Sequence, residues 1–197
     1  MNTEQKSPEQ RLSALKEAGY RAKRRTLTAK QAAVRGFCFS LPFLLLFGGI
    51  YRIFLVPGAH LLELGGWGFY LPLIAVIAVS AVVHELLHGI GWAAAGKTGW
   101  ENIQFRFSAL MPTCACKAVL PRGQYLFGVL LPFLVLGSAS VVFMFVYPGT
   151  ISLLTVLTNF IGAGADLVIA RNLLREDKSA LILDPLTEAG YIACSKA

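Results

Sequence analysis

Residues 81–92 read AVVHELLHGIGW and place His84, Glu85 and His88 inside a run that is otherwise apolar. That run extends over residues 67–95, which is longer than the roughly 20 residues a helix needs to cross a hydrocarbon core. Each ionisable side chain inside a membrane span costs on the order of 2.5 to 3.5 kcal/mol on insertion scales. Three of them in one span therefore indicate a functional site within a membrane helix.

Three further stretches are long and apolar enough to cross a membrane, at residues 36–56, 125–147 and 150–170. The 197-residue chain is 55% hydrophobic and has a mean hydropathy of +0.60, which is typical of a small membrane protein. We predict an all-α membrane protein with about four transmembrane helices. A basic arm occupies residues 1–35, and a membrane-embedded domain occupies residues 36–197 and ends in a tail at 171–197.

The distribution of basic residues predicts the orientation of the spans. Residues 1–35 hold half of the 18 Lys and Arg residues, and Arg52, near the far end of the first span, is the one basic residue on the opposite side. By the positive-inside rule the arm is cytoplasmic, so four spans return the tail and the loop at residues 96–124 to the cytoplasm. The chain is then a multi-pass cell-membrane protein with both termini cytoplasmic.

The net charge of +7 is concentrated in the segments that flank the predicted spans. Nucleic acid is one partner that such a charge would suit. Basic segments beside a span, however, face the anionic headgroups of the cytoplasmic leaflet. We therefore expect contact with anionic lipids and no binding of nucleic acid.

Short elements are predicted outside the spans. Residues 7–19 carry the signals of a capped helix, which we expect either to lie on the membrane surface or to be solvated without a partner. Residues 102–108, NIQFRFS, alternate apolar and polar side chains, which predicts a strand or a β-hairpin, and residues 180–183 form a second β-like run. Together these pieces predict a small β element on the cytoplasmic face.

The two histidines have the spacing of a metal site. Residues four apart lie on one face of a helix, so the imidazoles of His84 and His88 can converge on one ion. This H-E-x-x-H arrangement binds zinc, and its glutamate, here Glu85, is the general base for the water held by the metal. The alternative is that these are hydrogen-bonded core histidines without a metal.

A catalytic zinc needs a third protein ligand, and Asp166 is the one acidic residue in the other three predicted spans. It lies at a depth similar to that of the histidines, and the small residues at 162–165 would let another helix approach closely. A salt bridge to Arg171 is the alternative. Asn159, two turns earlier on the same face, either orients a ligand or a substrate carbonyl or makes an interhelical hydrogen bond.

Other candidate ligands lie outside the spans. Asp184 and Glu188 follow the charged segment at 171–178, and we expect them to be in water. The four cysteines should be reduced thiols, because they lie in or beside the cytoplasmic side. Cys114 and Cys116 are either packing residues beside a strand or a soft metal ligand or redox pair.

Several motifs together resemble the putative zincin peptidase family. They are HELLH within a span, P-x-C-x-C at residues 112–116, Leu131-Pro132, an aspartate late in the last span and D-P-x-x-x-x-G at residues 184–190. That family is similar to the site-2 proteases, intramembrane zinc metallopeptidases whose third ligand is an aspartate from a later span. The resemblance implies Asp166 in that role, although Leu167 stands where the site-2 protease pattern has glycine.

Our main hypothesis from the sequence is a zinc metallopeptidase that cleaves a membrane protein or peptide in the cytoplasmic half of the membrane. The strand at residues 102–108 would offer an edge on which an unwound substrate can pair. The alternative is a catalytically silent metal-binding scaffold or regulator with a zincin-like fold, although metal binding alone would not require Glu85. A transporter that uses the same buried ligands is a third hypothesis.

The basic-residue asymmetry gives a direct test of topology. Reporter fusions after Lys97 and after Lys178 should both report a cytoplasmic location, because both positions follow an even number of spans. An external signal at either site would contradict the arrangement.

Overall fold

The computed structural model describes residues 7–55, 66–97, 99–108 and 111–196 and is mostly helical. Its helices are α1 (Pro8–Glu17), α2 (Ala29–Ile50), α3 (Gly66–Gly96), α4 (Arg122–Val146), α5 (Thr150–Gly162) and α6 (Gly164–Leu173). Its strands are β1 (Tyr20–Leu27), β2 (Ile103–Ser108), β3 (Met111–Cys116), β4 (Leu120–Pro121), β5 (Leu181–Leu183) and β6 (Ala189–Lys196). A π-helical turn, Tyr51–Leu55, extends α2.

Four helical segments in the described residues are long and apolar enough to span a membrane, which confirms the predicted number by length and composition. They are Ala29–Leu55, Gly68–Gly96, Arg122–Val146 and Thr150–Leu173. Large apolar side chains such as Leu45, Leu71 and Val142 are exposed on their outer faces. Such faces suit a lipid environment, because lipid tails are as apolar as these side chains.

The last span is broken, where the sequence predicted one continuous helix over residues 150–170. Helix α5 ends at Gly162 and α6 begins at Gly164, with Ala163 between them. The Ser40 hydroxyl on α2 lies 2.7 Å from the Phe160 carbonyl oxygen and donates to it beside the break. A break inside a membrane is tolerated where a neighbouring side chain satisfies the backbone in this way. Asp166 consequently lies in the first turn of a separate helix.

Glycines allow two pairs of helices to approach closely. A Cβ at Gly164 would lie 2.3 Å from the Gly36 carbonyl oxygen, so α6 packs directly on the backbone of α2. A Cβ at Gly91 would lie 2.6 Å from Gly128 Cα, so α3 and α4 are in similar contact. The small residues predicted to admit another helix therefore do so, and the helix they admit is α2.

The protein contains more β structure than the sequence predicted, which was one small β element beside the transmembrane helices. A four-stranded antiparallel sheet has the order β1-β6-β5-β4, while β2 and β3 form a separate hairpin. The predicted strands at residues 102–108 and 180–183 are present as β2 and β5, but in different sheets. Strand β1, which the sequence left within the basic arm, pairs along its whole length with β6.

The four-stranded sheet packs against the ends of the helices. Leu120, Ile182 and Tyr191 of the sheet share one buried cluster with Trp92 and Tyr125 of α3 and α4. Helix α1 has the predicted capping box, and its Leu12 and Leu15 pack on a second cluster formed by β5 and β6. The sheet therefore attaches the amino-terminal arm and the tail to the same end of the helical bundle.

The contact between α2 and α6 predicts a sharp difference between two neighbouring glycines. Gly164→Ala should lower the free energy of unfolding by about 1–3 kcal/mol, because the added methyl group meets backbone atoms of α2. Gly162→Ala is the matched control, since a Cβ there meets no atom within 4 Å. Thermal melting of both variants in detergent measures the difference. Equal melting temperatures would contradict the close packing of α2 on α6.

Candidate metal centre

Helix α3 brings the three polar residues of its apolar run together. The ligand atoms of His84, Glu85 and His88 all lie within 4.8 Å of one another. His88 is buried and the other two are largely buried. The helical spacing of the motif thus produces a compact group of two imidazoles and one carboxylate, which could hold a metal ion.

Asp166 of α6 lies directly against both histidines. Its Oδ2 atom is 3.0 Å from His84 Nε2 and 3.5 Å from His88 Nε2. The alternative salt bridge to Arg171 is not formed, because the Arg171 guanidinium lies over the Phe39 ring, 5.7 Å from its centroid. Residues that are 78 positions or more apart in the sequence therefore share one site between α3 and α6.

The orientation of the His88 ring is set by its second nitrogen. His88 Nδ1 lies 2.9 Å from the Gly128 carbonyl oxygen and can donate its proton there, which leaves the Nε2 lone pair for the site. Trp92 stacks on the same ring and donates from Nε1 to the Tyr125 carbonyl oxygen. Sequence analysis missed Gly128, because only the contact between α3 and α4 brings its carbonyl to His88.

Glu85 faces the β2–β3 hairpin. The Cys114 N–H donates to Glu85 Oε2 at 2.6 Å, so the outer edge of β3 is turned towards the motif. The base of the hairpin lies near the end of α3, where Gly89 is beside Ile103. Near the tip of the hairpin, Pro112 lines the same recess as Ala81, which is one turn before Glu85 on α3. The hairpin therefore runs back along α3, towards the middle of that helix.

The expectation that Asp184 lies in water is wrong. Its side chain is buried and accepts hydrogen bonds from the Cys116 N–H, the Tyr125 hydroxyl and the Leu186 N–H. Burial raises the pKa of Asp184 to about 6, although these hydrogen bonds oppose the shift. The pairing of β5 with β6 and β4 returns the tail to the helices, which the sequence position did not reveal.

Glu188, the other acidic residue of the tail, remains exposed as expected. Its carboxylate forms an ion pair with Arg24 of β1 at 2.8 Å. It also lines the main cavity of the site together with Asp184. The tail thus closes one side of the site, but neither of these two carboxylates contacts His84 or His88.

The cysteine pair on β3 takes part in packing: Cys116 is fully buried in the cluster that holds Trp92 and Tyr125, and Cys114 packs against that cluster. Burial, with Glu85 and Asp184 nearby, raises the pKa of Cys114 far above its ordinary value. Burial raises the pKa of Cys116 to about 11. Both residues are free cysteines and are protonated at neutral pH in this environment.

Two cavities flank Glu85. A cavity of about 620 Å³ extends from Glu85 and Asp166 towards β3 and the tail, and a recess of about 140 Å³ lies on the other side, between α3 and α5. Asn159 lines the recess beside His84. Its side-chain amide donates to the Thr155 carbonyl of its own helix, and within the described part of the chain it makes no interhelical hydrogen bond.

The fold and site define a membrane-helix protein with an H-E-x-x-H metal motif, and comparison with known families agrees. The model of one family, described as "putative zincin peptidase", matches residues 77–181. This match covers more than half of the chain, and the protein belongs to that family. No curated protein and no solved structure matches the chain.

The donor set suits zinc. Imidazole nitrogens and a carboxylate oxygen are ordinary zinc ligands, and a catalytic site uses three of them with one position left open. Two carboxylates flank the histidines, but their contacts differ. Asp166 contacts both imidazoles, whereas Glu85 is held by the backbone of β3. This difference favours Asp166 as the third ligand and leaves Glu85 for a separate role.

The geometry predicts that zinc binding requires the carboxylate of Asp166 and not those of the tail. Asp166→Ala should reduce the zinc content of the purified protein as strongly as His88→Ala, because each removes a converging ligand atom. The controls are Asp184→Asn and Glu188→Ala. Both residues line the same cavity without contacting the histidines, so these variants should keep their zinc. Metal analysis of the four variants decides the assignment; full zinc content in Asp166→Ala with loss in a control would move the third ligand to the tail.

Proposed function

We propose that this protein is a zinc-dependent metallopeptidase that hydrolyses a peptide bond of a membrane protein or membrane-associated peptide. The observation that carries the proposal is the contact of Asp166 Oδ2 with the Nε2 atoms of His84 and His88. It joins the H-E-x-x-H helix to a carboxylate of a later span, within a chain of the zincin peptidase family. Binding of a metal by two histidines and an aspartate requires this convergence.

His84, His88 and Asp166 would hold the zinc. Bound zinc supplies Lewis acidity, which activates a water molecule and polarises the scissile carbonyl group. The Gly128 carbonyl keeps His88 in the tautomer that a ligand needs, and the stacked Trp92 restricts rotation of the ring. These contacts preorganise the ligand atoms, which lowers the cost of assembling the site.

Glu85 is the proposed general base. It follows His84 directly, and its carboxylate borders both the cavity and the recess, where a substrate would have to pass. In this role it takes a proton from the attacking water and returns it to the leaving amine. The Cys114 N–H holds the carboxylate against β3 in the absence of substrate.

The outer edge of β3 is the proposed site of substrate pairing, in place of the strand at residues 102–108 predicted from the sequence. The hairpin has two strands, so no described strand covers that edge. An extended substrate can add to it by backbone hydrogen bonds. The Cys114 N–H would exchange Glu85 for a substrate carbonyl, while the Cys116 N–H stays bonded to Asp184. Asn159, which lines the opposite wall of the recess, would hold the substrate backbone.

We further propose that the site lies in the cytoplasmic half of the cell membrane, with both termini in the cytoplasm. Exposed basic side chains at the start of the first span, Lys30 and Arg35, and on strand β1 just before it, such as Arg21, support this orientation. At this position they would contact anionic lipid headgroups. The cavity that opens towards the tail would then receive the cytoplasmic part of a substrate.

Glu85→Gln separates a peptidase from a silent metal-binding scaffold. The variant should keep its zinc and fold but lose about a hundredfold or more of its peptide hydrolysis, because a carboxamide cannot accept the proton. Hydrolysis of a fluorogenic peptide library in detergent, with zinc content measured in parallel, provides the test. Glu9→Gln, on the exposed face of α1, is the control. Equal activity of Glu85→Gln and wild type would refute the mechanism, and absence of hydrolysis in both would favour the scaffold.

A further inference from the structure

The recess on the second side of Glu85 is formed by two membrane helices and the hairpin. Ile77, Ser80 and Ala81 of α3 face Thr158, Asn159 and Gly162 of α5, and Pro112 closes the side next to β3. His84 and Glu85 border it directly. The recess lies nearer the middle of α3 than Glu85 does, so it is on the membrane-interior side of the reacting groups.

The size of the recess fits a substantial side chain. Its volume is about 140 Å³, close to that of an engineered cavity of roughly 150 Å³ that binds benzene. A leucine or phenylalanine side chain is of that size. Smaller groups would leave part of the recess empty and lose the contacts that its walls offer.

The chemistry of the walls favours an apolar group. Ile77, Ala81, Pro112 and Gly162 present only apolar atoms or backbone to the recess, and Ser80 adds one hydroxyl. The Thr158 hydroxyl is already used, because it donates to the Leu154 carbonyl. Asn159 donates to Thr155, and no donor in the described part of the chain reaches its Oδ1 atom. An apolar side chain can therefore fill the recess while Asn159 Oδ1 accepts a backbone N–H of the same substrate.

Strand β3 connects the recess to the larger cavity. Pro112 lines the recess, Cys114 reaches Glu85, and Ala115 lines the cavity. Residues two apart on a strand are separated by about 6.6 Å. A substrate paired along β3 would thus place one residue at the recess when its scissile bond is at Glu85.

We infer that the recess is the subsite that selects the substrate: it receives a leucine-sized or phenylalanine-sized apolar side chain from the residue on the membrane-interior side of the scissile bond. This inference rests on the proposed function. Gly162 lines the subsite, and a Cβ at that position meets no atom within 4 Å, so a larger side chain can be introduced there without a clash in order to narrow the recess.

The subsite can be tested by inhibitor binding, without a known substrate. Acetohydroxamate and 4-methylpentanohydroxamate share one zinc-binding group, and the second adds four carbons that can enter the recess. Burial of each methylene is worth about fourfold in affinity. Calorimetric titration of the zinc-loaded protein in detergent should show the longer hydroxamate to bind at least tenfold more tightly. Gly162→Leu should abolish that advantage and leave acetohydroxamate unchanged.

The controls separate the two proposals. Gly49→Leu on α2, where an added Cβ also meets no atom, lies outside both cavities and should behave as wild type. Equal affinity of the two hydroxamates for wild type, or an unchanged ratio in Gly162→Leu, would overturn the subsite while the zinc site stands. Failure of both hydroxamates to bind the wild type would overturn the zinc site, and the subsite with it.

Discussion

The contact of Asp166 Oδ2 with the Nε2 atoms of His84 and His88 is the interaction on which the structure depends. Polar side chains inside a membrane must find partners, because lipid offers them no hydrogen bonds. The histidine pair on α3 meets this requirement because α4 offers a backbone carbonyl to His88 and α6 delivers a carboxylate to both rings. The packing of α6 against α3 is therefore constrained by chemistry as well as by shape.

Glycine contacts make that convergence possible. Gly164 allows α6 to rest on the backbone of α2 beside the break at Ala163, and Gly128 allows α4 to approach α3 until its carbonyl reaches His88. In a membrane, helices associate through such close packing because no hydrophobic force drives them together. The same contacts that stabilise the bundle thus orient the ligand atoms, so a change at either glycine would disturb the site.

Local patterns in the sequence were sufficient for much of this account. Apolar length predicted the four spans, alternation predicted β2, and the helical spacing of His84 and His88 predicted their convergence. The burial of Asp184 and the pairing of β1 with β6 depend instead on contacts between distant segments, which no local periodicity encodes. The break at Ala163 was likewise not predicted, and the Phe160 carbonyl beside it is satisfied by Ser40 of another helix.

The central claim is that zinc is held by two imidazoles and one carboxylate from two spans. X-ray absorption at the zinc edge of the metal-loaded protein tests it most directly, because zinc bonds to nitrogen and oxygen are about 2.0–2.2 Å long, whereas bonds to sulfur are about 2.3 Å. The account predicts a first shell of nitrogen and oxygen with the outer scattering of two imidazoles. A sulfur ligand, which Cys114 or Cys116 would have to supply, or a shell without imidazole, would contradict it.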